Sequence, residues 1–134
     1  MKFFIGSDRK NIENVDYVAR ILKENGWEHT YDWTINIKDY NIKLDSKEKQ
    51  KKVAMSAYEG IKNADVVILL FPGGKGTHVE LGISIALNKN IEVWTSDESI
   101  YEFNQNTSSF YWTDYVKHNR VNIEKFVSKL LNNY

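Results

Sequence analysis

The chain has no cysteine and a single proline in 134 residues. Without thiols there is no disulfide framework, no thiolate nucleophile and no sulfur-ligated metal, which fits a reducing, cytoplasmic compartment. Long apolar runs are missing too. None approaches the roughly 20 residues that cross a bilayer, and Phe3-Phe4-Ile5 is too short for the apolar region of a signal peptide. Net charge is also absent: 18 Lys plus Arg balance 18 Asp plus Glu, which argues against nucleic acid or an anionic membrane as the main partner. Repeats, low-complexity tracts and linkers are lacking, so residues 1–134 are expected to form one domain, and 42% hydrophobic content suffices for its core. His29 and His118 do not have the spacing of metal ligands, and neither a metal nor a cofactor is expected.

What the chain does have is concentrated between Val66 and Leu87. The wholly apolar run from Val66 to Phe71 reads as a strand covered on both faces. Pro72-Gly73-Gly74-Lys75-Gly76-Thr77 follows as a glycine-rich turn, and His78-Val79-Glu80-Leu81-Gly82 opens an apolar helix starting at Thr77 or His78 and running to about Asn88. Three glycines at that junction permit φ > 0 and close approach of a ligand, and the free N–H groups of a helix start favour an anion. Glu80 beside such a site points to a ligand whose reaction develops positive charge, as at a sugar anomeric carbon. A plainer reading exists: Thr77-x-x-Glu80 has the spacing of a capping box, which requires no chemistry. His78 has one too, as a solvated residue of the first turn.

In chain order, residues 2–5 read as a short buried strand ending at Gly6-Ser7-Asp8-Arg9-Lys10. Ile12, Val15, Ala19 and Leu22 then recur at helical spacing. Trp27, His29, Tyr31 and Trp33 alternate with polar residues, the period of a strand with one buried face at the sheet edge. Residues 34–46 have no sustained period and read as a loop or short lid. Val53, Ala54, Ala57, Tyr58 and Ile61 mark a second helix, and Ile91 to Trp94 a fourth strand. Residues 95–120 form a long segment with aromatics Phe110, Tyr111, Trp112 and Tyr115, a length that in a small domain serves function or assembly. Ile123, Phe126, Val127, Leu130 and Leu131 close the chain as an amphipathic helix.

Strands alternating with helices imply right-handed crossovers and a parallel sheet. The fold class is therefore α/β: a Rossmann-like, flavodoxin-like sandwich of four to five strands with helices on both faces. Its ligand is expected at the carboxyl ends of the first and third strands, where the winding reverses. Gly6, Ser7, Arg9 and Lys10 should there face Gly73, Gly74, Gly76 and Thr77, with Arg9 as a phosphate clamp.

These residues carry a resemblance. Ala64-Asp65-Val66-Val67, the glycine turn, and Glu80-Leu81-Gly82 followed by a small-residue helix, Asn88-Lys89-Asn90 and a strand resemble the nucleoside deoxyribosyltransferase superfamily, including its deoxynucleotide N-glycosidase branch. Gly6-Ser7 with Arg9 is similar to that branch's phosphate loop. Ser109-Phe110 through Tyr115 is similar to its C-terminal segment, which enters the neighbouring subunit's site. Pro72 to Glu80 also matches the P-G-G-x-G-T-x-x-E signature of LOG-type phosphoribohydrolases, whose companion P-R-x-G-G-G-x-x-G motif has no counterpart here.

The resemblance implies Glu80 as a nucleophile that forms a glycosyl-enzyme on a nucleoside or nucleoside monophosphate. It implies substrate contacts from Gly6, Ser7, Arg9, Gly73, Gly74, Gly76, Thr77 and His78, and from Ser109 of the partner in a homodimer. Two positions depart from the pattern. The family's base-handling aspartate falls at Ala57, and the first-strand tyrosine that holds the nucleophile's carboxylate falls at Phe4. The departures turn the expectation from efficient deoxyribosyl transfer toward hydrolysis. The second reading is a non-catalytic module of the same fold that binds a nucleotide or an ADP-ribose-type ligand.

Overall fold

The computed structural model describes residues 1–35 and 45–134. Five parallel strands, β1 (Lys2–Ser7), β2 (Glu28–His29), β3 (Val66–Phe71), β4 (Asn90–Thr95) and β5 (Val116–Asn119), lie in the order β2-β1-β3-β4-β5. Side-chain alternation sorts their residues to two faces. Phe3, Ile5, Val66, Ile68 and Leu70 pack with Val15, Val18 and Leu22 of α1 (Ile12–Glu24) and with Phe126, Val127 and Leu130 of α4 (Ile123–Asn133). Phe4, Val67, Leu69, Phe71 and Val93 pack on the other side with Ile61 of α2 (Lys47–Asn63) and Leu81 of α3 (Lys75–Ala86). All six residues of β3 are buried, because helices cover the central strand from both sides. The architecture is the expected α/β flavodoxin-like sandwich, and the winding reverses between β1 and β3.

Two strands differ from the sequence reading. The alternating residues 27–33 form a strand only over Glu28–His29. Thr30 N–H still donates to the Phe3 carbonyl at 2.9 Å, but the chain then leaves the sheet, and the Trp33 indole N–H donates to the Ile5 carbonyl at 2.7 Å. A side chain thus satisfies the edge of β1 where a strand was expected. Asp32 then accepts from the Thr34 N–H at 3.0 Å, and Thr34 and Ile35 are helical. Of the loop or lid expected at residues 34–46, residues 36–44 lie outside the described residues.

Conversely, the long segment after β4 contains β5, which pairs with β4 from Ile91↔Val116 to Trp94↔Asn119. Short 3₁₀ turns at Glu98–Tyr101 and Ser109–Trp112 precede it, capped by the side chains of Asp97 and Ser108. His118 fastens the segment: its Nε2–H donates to the Tyr111 carbonyl, and its Nδ1 accepts from the Tyr101 hydroxyl at 2.9 Å. The chain end is tied down by a buried carboxylate, Glu92, which accepts from the Tyr134 hydroxyl at 2.8 Å and from the Asn119 amide at 2.9 Å. Among the described residues no helix is long and apolar enough to cross a membrane.

Candidate active site

Gly6 sits in β1 opposite Leu69 and on the face turned toward α3. A Cβ there would lie 2.8 Å from Leu69 Cδ2 and 3.2 and 3.3 Å from the two carboxylate oxygens of Glu80. The space that a side chain would take is occupied first by the Leu69 methyl and then by the Glu80 carboxylate, which the lack of a Cβ lets lie close against β1.

The capping-box geometry is not formed. α3 begins at Lys75, with Gly74 as its N-cap and no side-chain cap bond. Thr77 is thus the third residue of the helix, buried, with its side chain against Gly73, where a Cβ would come within 2.6 to 2.8 Å of it. The helix starts two or three residues earlier than the Thr77 or His78 of the sequence reading, because the turn needs only Gly73 and Gly74. Nor do the glycines act through left-handed backbone: Gly74 has φ −92°, and among the described residues Gly26 is the glycine with positive φ, at 84°. Gly73 and Gly74 serve by lacking a Cβ, which leaves room for Thr77 and for the Asp8 carboxylate respectively.

Glu80 stands in a cavity of 480 Å³ between β1, α2 and α3. Ser7, Arg9, Gly74, Gly76 and Thr77 line it together with Glu80, and Tyr31, Trp33 and Tyr58 form aromatic walls. Burial pushes the Glu80 carboxyl from its ordinary 4.5 up to about 8. Ser7 is anchored from below, its hydroxyl donating to the Leu70 carbonyl at 2.7 Å, which leaves its oxygen lone pairs as acceptors. Arg9 is exposed at the rim.

Three of the expected contacts, Gly6, Gly73 and His78, are not among the residues that line this cavity. Gly73 and His78 line a second hollow of 280 Å³ on the far side of the glycine turn. There His78 Nδ1–H donates to the Gly74 carbonyl at 2.8 Å and Nε2 accepts from the Tyr111 hydroxyl, so this residue braces the turn. Ser109, expected to serve the partner's site, is exposed on its 3₁₀ turn. The sequence reading missed Asp8, Tyr31, Trp33 and Gln50 as lining residues. The period-two alternation of residues 27–33 is the available signal for Tyr31 and Trp33.

A doubly wound parallel sheet that holds a half-buried carboxylate, a glycine turn and an aromatic-walled cavity at its switch point defines an α/β protein with a small-molecule pocket where such sheets bind their ligands. The chain belongs to the nucleoside 2-deoxyribosyltransferase family, whose model matches residues 3–128. Membership supports an enzymatic activity of the nucleoside deoxyribosyltransferase type in general. Among solved structures it is similar to the CMP N-glycosidase BcmB of Clostridium botulinum, at 20% identity over 100% of both chains with a TM-score of 0.66. It is also similar to the 2-deoxyribosyltransferase of Bacillus psychrosaccharolyticus, at 17% identity over 95% of this chain and 90% of the other, with a TM-score of 0.70. No curated protein sequence matches it.

Proposed function

We propose that this protein cleaves the N-glycosidic bond of a nucleoside or nucleoside monophosphate through a glycosyl-enzyme on Glu80. The observation that carries the reading is the seating of the Glu80 carboxylate against Gly6, inside the cavity and away from the helix N-terminus. In the first step a carboxylate oxygen bonds to C1′ as the C1′–N bond breaks, and the electron pair leaves on the base, which takes up a proton. In the second, water loses a proton as its oxygen bonds to C1′, and the carboxylate departs. A free base in place of water makes the second step a transfer.

A second reading, binding without turnover, is favoured by Ala57 and Phe4. Ala57 lines the cavity with a methyl group where the resemblance calls for an acid, and Phe4 is fully buried in the core. Incubation with ribo- and deoxyribonucleosides and their monophosphates, with and without a second free base, separates the readings. Base released without acceptor is the expected result. Consumption only with acceptor makes the protein a transferase, and a raised melting temperature without consumption makes it a binding module.

The active form is proposed to be a homodimer, with the Ser109 turn of each subunit completing the other's cavity. Phe110 and Trp112 on that turn are exposed, as are Met55 and Val79 on α2 and α3, and apolar groups so placed favour a covered surface. Sedimentation should give twice the chain's 15.7 kDa, whereas a clean monomer at micromolar concentration would remove the shared site.

A further inference from the structure

We infer that Asp8 fits this cavity to the free 5′-hydroxyl of a nucleoside and sets it against a 5′-phosphate. The inference rests on the reading of the cavity as a nucleoside site.

Asp8 follows β1 directly and lines the same cavity as Glu80. Its side chain is held in place: Oδ1 accepts from the Lys10 N–H at 2.9 Å, capping the 3₁₀ turn Arg9–Asn11. Its other oxygen, Oδ2, is turned onto Gly74, where an added Cβ would come within 3.0 Å of it. Gly74 is the N-cap of α3, and no side chain caps that helix. A fixed carboxylate therefore stands beside the helix start, the place that a phosphate takes in anion-binding turns. A phosphate there would be brought against a like charge in a partly dehydrated cleft, where repulsion is least screened.

A hydroxyl meets no such penalty, since it can donate to Oδ2 and accept from a free N–H of the helix start. Arg9, on which a phosphate clamp would depend, is exposed at the rim. Repulsion of the wrong ligand is a common source of specificity.

The test is Asp8→Asn. Asn keeps an oxygen for the Lys10 N–H and is as good a cap as Asp, so the turn is retained, and Asp8→Ser is a second capping variant should Asn fold poorly. Specificity constants for a set of nucleosides and their 5′-monophosphates are measured in the native protein and in each variant. Binding of the same pairs and of inorganic phosphate is measured in the Glu80→Gln background. The native protein is expected to prefer the nucleoside by about tenfold or more, and Asp8→Asn to shrink that preference by about tenfold, chiefly through the KM of the monophosphate. The variant should also gain binding of inorganic phosphate. Native preference for the monophosphate, a ratio unmoved by either variant, or binding of neither ligand would each overturn the inference. If Glu80→Gln still turns over substrate, the nucleophile has failed, and the binding ratio continues to decide the role of Asp8.

Discussion

Glu80→Gln is expected to lose turnover by at least about a thousandfold in kcat while keeping its fold and its affinity for substrate. An amide has the shape of the carboxyl and fits the same space beside Gly6, yet has no anionic oxygen to attack C1′. Because burial already favours the neutral acid near pH 7, the substitution changes little in the charge of the resting site. Helix fraying cannot explain a loss either, since Glu80 caps nothing: the N-cap is Gly74 and Thr77 lies inside the helix. Single-turnover rates with the best substrate, melting curves and equilibrium binding are the three measurements. A variant that keeps more than about a tenth of the activity would sink the nucleophile, because removal of an attacking group leaves only positioning and electrostatic contributions.

The position of this group could be read from the sequence to the level of the loop and no further. The apolar run of β3, the glycines and the helical spacing after them fix a strand, turn and helix at a switch point, and β1 and β3 do meet as expected. What Glu80 does there depends on where α3 starts. Thr77-x-x-Glu80 reads identically whether Thr77 is the N-cap or the third helical residue, and only the fold shows that Gly74 takes the cap.

The same ambiguity hid the cavity walls. Tyr31 and Trp33 continue the alternation of Trp27 and His29, although the first pair lines a cavity while His29 stacks on Phe3 with ring centroids 4.5 Å apart. Period two reports that alternate residues are covered, without saying by what. β5 was invisible for the opposite reason. Val116-Lys117-His118-Asn119 carries a single apolar residue, and its burial comes from distant partners, Glu92 for Asn119 and Tyr101 for His118. Asp8 looked like one surface charge among several until the fold set its carboxylate against Gly74, 66 positions away.

Activity should rise by about tenfold per pH unit from pH 5 to a plateau above about pH 8, because only the ionised form of Glu80 is a nucleophile and burial holds its carboxyl up at about 8. At pH 6, kcat/KM is expected at about a hundredth of its plateau. A profile already flat between pH 6 and 9 would mean that Glu80 ionises normally or does not attack. Stability should move the other way. Unfolded, the carboxyl titrates near 4.5; folded, near 8. Between those values the native state holds a proton that the unfolded state has released, so raising the pH favours unfolding. The stabilisation is complete below pH 4.5, fades across the interval and is gone above pH 8. Its full size is on the order of a few kcal/mol, reduced by water in the cavity. Urea unfolding of the native protein and of Glu80→Gln at pH 5, 7 and 9 isolates this contribution, because His29, which burial pushes down to about 4, is present in both proteins and cancels. The two should be nearly equal at pH 5, and the glutamine variant should be the more stable at pH 9. Since the same ionisation that destabilises the fold activates the nucleophile, the plateau of kcat/KM and the levelling-off of the relative stability should begin at the same pH, about 8. A rate plateau reached at a clearly different pH would show that the rate is governed by a different group.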